Sequence, residues 1–253
     1  MSGASNGLRQ VWEEGRPACG VWSSIPSFFA AEVLASAQPD YVCVDLQHGL
    51  ADLGSVPPLV ATIAAAGSVP LVRVAGNEPW LIGKVLDAGA LGVIVPLVES
   101  GDEAARAVGA ARYPPNGHRS YGPIRAAGVV GSADPRALES EVVVFVMVET
   151  RQGLERVEEI AATPGLTGIY IGPSDLAVDL GLDPTAGGWD GEHAAAIAHI
   201  RETCARHGII AGIHCPSGAV ARRFADAGFG LLTVAMDRQL LRAGAVRELA
   251  DAR

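Results

Sequence analysis

Residues 142–172, VVVFVMVETRQGLERVEEIAATPGLTGIYIG, hold two apolar runs separated by a segment of helical composition. The runs are continuous rather than alternating, which is typical of strands that are covered on both faces. The segment between them places apolar residues three or four positions apart, as an amphipathic helix does. The stretch therefore predicts one strand–helix–strand unit with parallel strands.

The same pattern recurs along the chain. Short runs rich in Val and Ile, which favour strands, occupy residues 18–22, 41–46, 70–74, 92–97, 142–149, 166–172, 209–215 and 231–236. Stretches of helical period lie between them, and several end in a Gly of the kind that follows a helix. About eight strands alternating with about eight helices predict one α/β domain, a (β/α)8 TIM barrel over residues 1–253.

A doubly wound open sheet is the alternative, and the number of strands does not exclude it. No glycine fingerprint follows an early strand, which disfavours a dinucleotide site of the Rossmann type. The longest irregular segment, residues 112–135, follows the fourth strand and its helix. A loop of that length in a compact domain is usually functional or mobile.

The amino-acid composition narrows the classes of molecule that the protein is expected to bind. The 19 basic and 28 acidic side chains leave a formal charge of −9, which disfavours nucleic acid or an anionic membrane as a partner. No run has the length or the apolar character of a membrane helix or a signal peptide, so a soluble, cytoplasmic protein is expected. The four cysteines are widely separated, which indicates free thiols in a reducing compartment.

Polar residues cluster where the predicted strands end. These residues are Asp45, Gln47 and His48 after the second strand, Arg73 on the third, Glu149 on the fifth, Asp175 after the sixth and His214 on the seventh. Catalytic groups of parallel barrels lie at this end of the strands. Each residue also has a structural explanation, such as an ion pair for Arg73, a first-turn acid for Glu149 or a helix cap for Asp175.

Taken together, these residues indicate a catalytic site. Glu149 and Asp175 follow neighbouring strands, and such a pair of carboxylates suits a hard divalent cation. Arg73 can stabilise an anionic oxygen, and His48 with Asp45 three residues earlier supplies a proton acceptor and a group to orient it. A metal, an oxyanion stabiliser and an acid/base group together suggest enolate chemistry.

These motifs resemble those of a known family. The segments DLQHG (45–49), VMVETRQGLERVEEIAATPGLTGIYIGPSDLAVDLG (146–181) and GIIAGIHC (208–215) are similar to those of the HpcH/HpaI family of class II, metal-dependent 2-oxo acid aldolases. The resemblance runs over nearly the whole chain. It implies a barrel of the pyruvate/phosphoenolpyruvate type, assembled as a hexamer (a trimer of dimers) in which partners exchange a C-terminal helix.

The resemblance also implies an activity and residue roles. The expected reaction is reversible aldol cleavage of 4-hydroxy-2-oxo acids to pyruvate or hydroxypyruvate and an aldehyde, through an enolate bound to Mg²⁺, Mn²⁺ or Co²⁺. The implied roles are metal binding by Glu149 and Asp175, catalysis by His48, Asp45 and Arg73, substrate binding by Trp22, Gln47, Gly172, Pro173, Ser174 and His214, and a contribution of Asp87 to the neighbouring subunit's site. Gln47 and Met147 depart from the family pattern, which bears on the substrate.

Three alternatives stay open. One is a lyase that acts on CoA thioesters, as in the citrate lyase β branch, and another is a non-catalytic barrel that binds a 2-oxo acid. The third is a Schiff-base aldolase. Lys84 is the only lysine of the chain, and it is predicted to lie in the middle of a helix rather than at a strand end, which disfavours an imine mechanism.

Overall fold

The computed structural model describes residues 6–184 and 191–253, and its sheet is a closed barrel of eight parallel strands in sequence order. The strands are β1 Ala18–Ser23, β2 Tyr41–Asp45, β3 Val69–Arg73, β4 Gly92–Val95, β5 Val143–Val148, β6 Gly168–Ile171, β7 Ile210–His214 and β8 Leu231–Met236. β1 pairs with both β2 and β8, which closes the ring. The predicted (β/α)8 barrel is confirmed, and the open-sheet alternative is wrong.

Helices surround the barrel. They are α1 Gly7–Glu13, α2 Phe28–Ser36, α3 Val56–Ala65, α4 Pro79–Asp87, α5 Gly101–Ala111, α6 Ala126–Val130, α7 Pro135–Ser140, α8 Arg151–Glu155, α9 Val157–Ala161, α10 Pro173–Asp179, α11 Gly191–His207, α12 Gly218–Asp226 and α13 Asp237–Asp251. The segment 112–135, expected to be irregular throughout, contains α6. The single helix expected after β5 is divided into α8 and α9 at Arg156.

β4 ends two residues earlier than predicted. Pro96 has no N–H to donate to the sheet, and Leu97 adopts a left-handed backbone conformation with φ 55°. A non-glycine residue in that region is strained, and such strain is commonest at functional sites. The early end of the strand turns the Leu97 amide away from the strand ladder, with a consequence for Glu149 described below.

Side chains alternate between the two faces of each strand, and this sorts the core into two layers. On β2, Val42 and Val44 belong to the outer apolar layer that packs against the helices, whereas Tyr41 and Cys43 belong to the layer inside the barrel. Asp45 continues the inward row at the end of the strand. The same period of two explains why polar residues at several strand ends meet inside the barrel mouth.

The barrel interior is filled rather than open. The hydroxyls of Tyr41 and Tyr170 both hydrogen bond to Thr233 Oγ1, at 2.9 and 2.6 Å. All three residues are fully buried and out of reach of water, so their hydroxyls need partners within the core and find them in one another. Leu8 and Val11 of α1 belong to the same buried layer and cover the amino-terminal end of the barrel.

The C-terminal helix α13 packs loosely on its own chain. Of its residues, only Asp237 is buried, and its carboxylate accepts hydrogen bonds from Ser24 and the Ile25 amide. The exposed apolar side chains of α13 are Leu240, Leu241, Val246 and Leu249. Within residues 6–184 and 191–253, no helix is long and apolar enough to cross a membrane, and the four cysteines form no disulfide.

Candidate active site

A cavity of about 290 Å³ opens at the carboxyl ends of the strands. Its lining residues are Trp22, Asp45, His48, Arg73, Met147, Tyr170, Gly172, Pro173, Ser174, Asp175, His214, Met236 and Arg238. Most of the residues singled out from the sequence therefore lie together, although they come from six different strands or strand ends. Glu149 is buried behind this lining and contacts it through Gly172.

Arg73 is held in one position by two neighbours. Its Nε donates to Asp45 Oδ1 at 2.9 Å and its Nη2 donates to Asp45 Oδ2 at 2.7 Å, so the pair is bidentate. The guanidinium carbon lies 4.3 Å from the centre of the Trp22 ring, a cation–π contact. Arg73 and Asp45 are buried, which leaves the guanidinium as a fixed positive charge at the cavity wall.

Asp45 serves Arg73 rather than the His48 ring. Its Oδ1 also accepts from the backbone amides of Gln47 and His48, at 3.0 and 3.3 Å. Burial alone would raise the pKa of Asp45, but the hydrogen bonds and charge of Arg73 hold that pKa below its usual range. The expected hydrogen bond between Asp45 and the imidazole is absent from the described residues, because both carboxylate oxygens are occupied by other donors. His48 still lines the cavity and remains the predicted acid/base group.

Glu149 has one satisfied oxygen and one unsatisfied oxygen. Oε1 accepts from the Leu97 amide at 2.9 Å, whereas Oε2 is buried with no hydrogen-bond partner in the described part of the chain. Burial is the main cause of a Glu149 pKa raised to about 7; the hydrogen bond from the Leu97 amide opposes this shift, and the nearby Asp175 carboxyl adds to it. The alternative of a first-turn acid is wrong, because Thr150 caps α8 and Glu149 precedes the helix.

Asp175 lies in the first turn of α10 and is not its cap. Gly172 occupies the cap position, and the helix begins at Pro173. A Cβ on Gly172 would lie 2.2 Å from Glu149 Oε2 and 3.0 Å from the Met147 methyl carbon. Only glycine therefore leaves room beside the unsatisfied oxygen of Glu149. The helix-cap alternative for Asp175 is wrong.

His214 is neutral at neutral pH. Burial lowers the pKa of His214 to about 4, and the positive charges of Arg73 and Arg238 act in the same direction. Its ring meets Trp22 edge-on, with 5.1 Å between ring centres. His214 is thus suited to a hydrogen bond with a substrate oxygen and is not a second cation.

Gln47 and Asp87 lie outside the cavity lining. Gln47 is half-buried, and its Oε1 has no hydrogen-bond partner among the described residues. Asp87, at the end of α4, accepts from Arg119 Nη2 at 2.7 Å and faces the 112–135 segment. Lys84, also on α4, lies near Asp87 and away from the Arg73 cavity. Its position disfavours the Schiff-base mechanism.

Sequence reasoning missed three contributors. Tyr170 lies two residues before Gly172 in the inward row of β6, so the period of two could have identified it. Arg238 follows β8 and brings an exposed guanidinium to the cavity, and a check of the last strand end would have found it. Leu97 acts through its backbone amide, and no side-chain motif could have indicated it.

A buried carboxylate oxygen without a donor fits a cation. Within residues 6–184 and 191–253, no three His, Cys, Asp or Glu side chains come together as a metal cluster. Glu149 and Asp175 are therefore the two protein carboxylates available to an ion here. Such an ion would take its remaining ligands from water or substrate, as Mg²⁺ commonly does.

An eight-stranded parallel barrel with charged groups at its carboxyl mouth is a TIM-barrel enzyme in architecture. Residues 19–243 match the HpcH/HpaI aldolase/citrate lyase family, and the chain belongs to this family. Its membership confirms the resemblance seen in the motifs. The chain is an aldolase-type lyase, as the sequence predicts.

Relatives match nearly the whole chain. It is 41% identical to a hydroxypyruvate/pyruvate aldolase of Rhizorhabdus wittichii over 98% of this chain and 99% of that protein. It is 36% identical to a 5-keto-4-deoxy-D-glucarate aldolase of Salmonella arizonae over 92% of this chain and 90% of that protein. A crystal structure of a family member from Burkholderia cenocepacia superposes with a TM-score of 0.89 at 35% identity, over 98% of this chain and 100% of that one.

Proposed function

We propose that the protein cleaves 4-hydroxy-2-oxo acids reversibly into pyruvate or hydroxypyruvate and an aldehyde. The observation that carries this proposal is the fixed Arg73 guanidinium in the same cavity as the Glu149–Asp175 pair. Charge that develops on a 2-oxo oxygen needs positive groups already in place, and preorganised charges of this kind dominate catalysis in buried sites. The relative from Rhizorhabdus wittichii, named hydroxypyruvate/pyruvate aldolase, supports the same reaction.

In this mechanism, the C3–C4 bond breaks and its electron pair moves to the 2-oxo group, which becomes an enolate. His48 takes the proton from the C4 hydroxyl as the aldehyde forms. The enolate then takes a proton from water at C3 to become the 2-oxo acid, His48 releases its proton to water, and these transfers reverse when the reaction runs backwards. Arg73 stabilises the enolate oxygen, and Asp45 positions Arg73. Trp22, the neutral His214 and the Gly172–Asp175 segment would surround the 2-oxo acid.

Glu149 and Asp175 would hold a divalent cation, for which we propose Mg²⁺, Mn²⁺ or Co²⁺. Two observations support this assignment: Glu149 Oε2 is buried and has no donor among residues 6–184 and 191–253, and burial raises the pKa of that carboxyl to about 7. A cation would satisfy the oxygen and favour the charged form of Glu149. When bound, the ion supplies Lewis acidity at the 2-oxo and carboxylate oxygens of the substrate.

The alternatives have less support. A CoA thioester would bring several phosphate groups to the site, and these need positive partners. The cavity offers two arginines, and the single lysine of the protein lies outside it. A non-catalytic barrel would gain nothing from a buried carboxylate oxygen left without a partner, since such a group costs stability. A costly feature such as this unsatisfied carboxylate oxygen is typically retained at a functional site.

Metal removal tests the proposal. Pyruvate release from 4-hydroxy-2-oxo acids should disappear after treatment with EDTA, because the enolate loses its main source of positive charge, and it should return with Mg²⁺, Mn²⁺ or Co²⁺. Lys84→Ala is the matched control, since Lys84 lies outside the cavity. It should keep metal-dependent turnover. Activity that survives EDTA, or that vanishes in a folded Lys84→Ala protein, would contradict the metal-enolate mechanism.

We also propose that the active enzyme is a homo-oligomer, a hexamer built as a trimer of dimers that exchange α13. The exposed Leu240, Leu241, Val246 and Leu249 on that helix support a partner contact, since such side chains gain stability when covered. Asp87 would complete the site of the neighbouring subunit. Its position against Arg119, outside its own chain's cavity, is compatible with that role.

Subunit complementation tests the role of Asp87. Asp87→Asn and Glu149→Gln should each be inactive as pure oligomers, because every site lacks one group. Mixed oligomers should recover about a quarter of the wild-type activity, since a random mixture pairs an intact Glu149 with a partner's Asp87 in about one site in four. Circular dichroism and mass photometry would confirm folding and assembly. Mixed oligomers without activity would show that Asp87 does not act across subunits.

A further inference from the structure

A second cavity, of about 700 Å³, opens at the amino-terminal end of the barrel, opposite the candidate active site. It is formed by α1, the end of α5, α7 and the segments that lead into β6 and β7. We call it the arginine pocket because Arg9, Arg112 and Arg136 line it, with Glu139 as the one acid among its described lining residues. In TIM barrels this face usually serves stability, so a charged cavity here needs its own explanation.

Glu139 offsets the positive charge of the arginine pocket only in part. Its Oε2 accepts from the Tyr113 amide at 3.0 Å and its Oε1 accepts from Asn116 Nδ2 at 2.6 Å. In the part of the chain that the structure describes, none of the three arginines forms an ion pair. The pocket therefore carries excess positive charge.

Two of the arginines converge on a single backbone oxygen. Arg9 Nη2 and Arg112 Nη2 both donate to the Val142 carbonyl, at 3.4 and 3.2 Å, and Arg112 Nη2 also lies 3.4 Å from the Gly165 carbonyl. Two further donors, Arg9 Nε and Arg112 Nη1, are buried with no hydrogen-bond partner among the described residues. Burial is the main cause of an Arg112 pKa lowered to about 10; the nearby Glu139 carboxylate opposes this shift, and the charge of Arg9 adds to it.

Arg9 and Arg112 have no ion-pair partner among the described residues. Buried guanidinium donors without acceptors are costly, and two like charges close together repel each other. An oxyanion removes both penalties, because carboxylate and phosphate oxygens accept several guanidinium N–H bonds at once. The volume of the pocket lies within the range of small-molecule sites and exceeds what one inorganic ion needs.

We propose that the arginine pocket binds a small organic molecule through a carboxylate or phosphate group held between Arg9 and Arg112. The site is separate from the aldolase cavity, and the proposal does not depend on the aldolase reaction. Trp12 lines the pocket and is fixed by a hydrogen bond from its Nε1 to the Gly230 carbonyl, at 2.7 Å. Its fluorescence therefore reports on occupancy.

The test is a fluorescence titration of the full-length oligomer with inorganic phosphate and with succinate, at constant ionic strength made up with chloride. Saturable quenching is expected with at least one of the two anions, together with a rise in the melting temperature, because a ligand that binds only the folded state stabilises it. The stronger of the two responses identifies phosphate or carboxylate chemistry. Trp12→Phe should remove the signal, which separates this site from the Trp22 cavity.

Three charge-removing variants complete the experiment. Arg112→Gln and Arg9→Gln should each weaken binding about tenfold or more, as expected for the loss of a charge-assisted contact. Arg222→Gln removes the same charge from the exposed surface of α12 and should bind like the wild type. Unchanged affinity in both pocket variants, or no saturable binding of either anion, would overturn the proposal. A change of oligomer mass in those variants without anion binding would instead assign the arginines to a subunit contact and would also overturn it.

Discussion

Replacing Gly172 with Ala should remove most of the aldolase activity while the barrel still folds. The backbone of Gly172, at φ −93° and ψ 89°, is open to alanine, so the effect would come from the added methyl group alone. That methyl would lie 2.2 Å from Glu149 Oε2, and Glu149 is held on its other side by the Leu97 amide. Because displacing a catalytic group by about 1 Å costs roughly a hundredfold in rate, we expect kcat/KM to fall at least about a hundredfold.

Metal affinity should fall in the same variant, and calorimetric titration with Mn²⁺ would measure it. Overpacking of this kind costs about 1–3 kcal/mol of unfolding free energy, so the melting temperature should drop moderately. Gly218→Ala is the control, because a Cβ at Gly218 in α12 meets nothing within 4 Å. A Gly172→Ala enzyme with wild-type turnover and Mn²⁺ affinity would show that Glu149 Oε2 does not need its present position.

Replacing Arg73 with Lys should lower kcat by roughly 10²–10³-fold, the effect of losing one preorganised oxyanion donor. Lysine keeps the charge but cannot engage both Asp45 oxygens and a substrate oxygen at once, because it lacks the planar fork of arginine. Asp45→Asn should lower kcat less, since asparagine retains one acceptor for Arg73. Steady-state kinetics of both variants would measure the two effects.

The double variant distinguishes two roles for Asp45. If Asp45 positions Arg73, the double variant should be scarcely worse than Arg73→Lys, because the second change removes an interaction already lost. The pH profile of Asp45→Asn should then keep the wild-type shape. If Asp45 instead orients His48, the two losses should add and the acidic limb of the profile, where the base His48 is protonated, should shift. That second outcome would restore the dyad expected from the sequence.

The fold was predictable because its signals are local. Strand and helix periods repeat within each unit, so the eight strands could be located from the sequence to within a few residues. The error in predicting where β4 ends also had a local cause. β4 stopped early at Pro96, and the strained Leu97 that follows it gave the Glu149 carboxylate its hydrogen bond. A run of apolar letters does not reveal such a turn.

The composition of the site was also predictable, but its pairings were not. The parallel barrel places residues such as Arg73, Glu149 and Asp175 at one mouth whatever their partners are. The role of Asp45 could not be deduced from the sequence. Its carboxylate accepts from Arg73 and from the Gln47 and His48 amides, and only the folded geometry reveals the bidentate pair with Arg73. The arginine pocket had no motif at all, since Arg9 and Arg112 lie far apart in the chain.

The barrel, its family and the polar residues at its carboxyl mouth follow from local patterns in the chain, because alternation along each strand dictates which side chains face inward. Which atoms meet depends on the folded arrangement. Asp45 binds Arg73 across 28 residues, and Glu149 takes the Leu97 amide across 52. Contacts at such separations depend on how the ring of strands closes. At its two ends, burial leaves Glu149 Oε2 and two arginine donors without partners among the residues that the structure describes. The periodicity of the sequence cannot predict these long-range contacts, because it carries no information about residues that are distant in the chain.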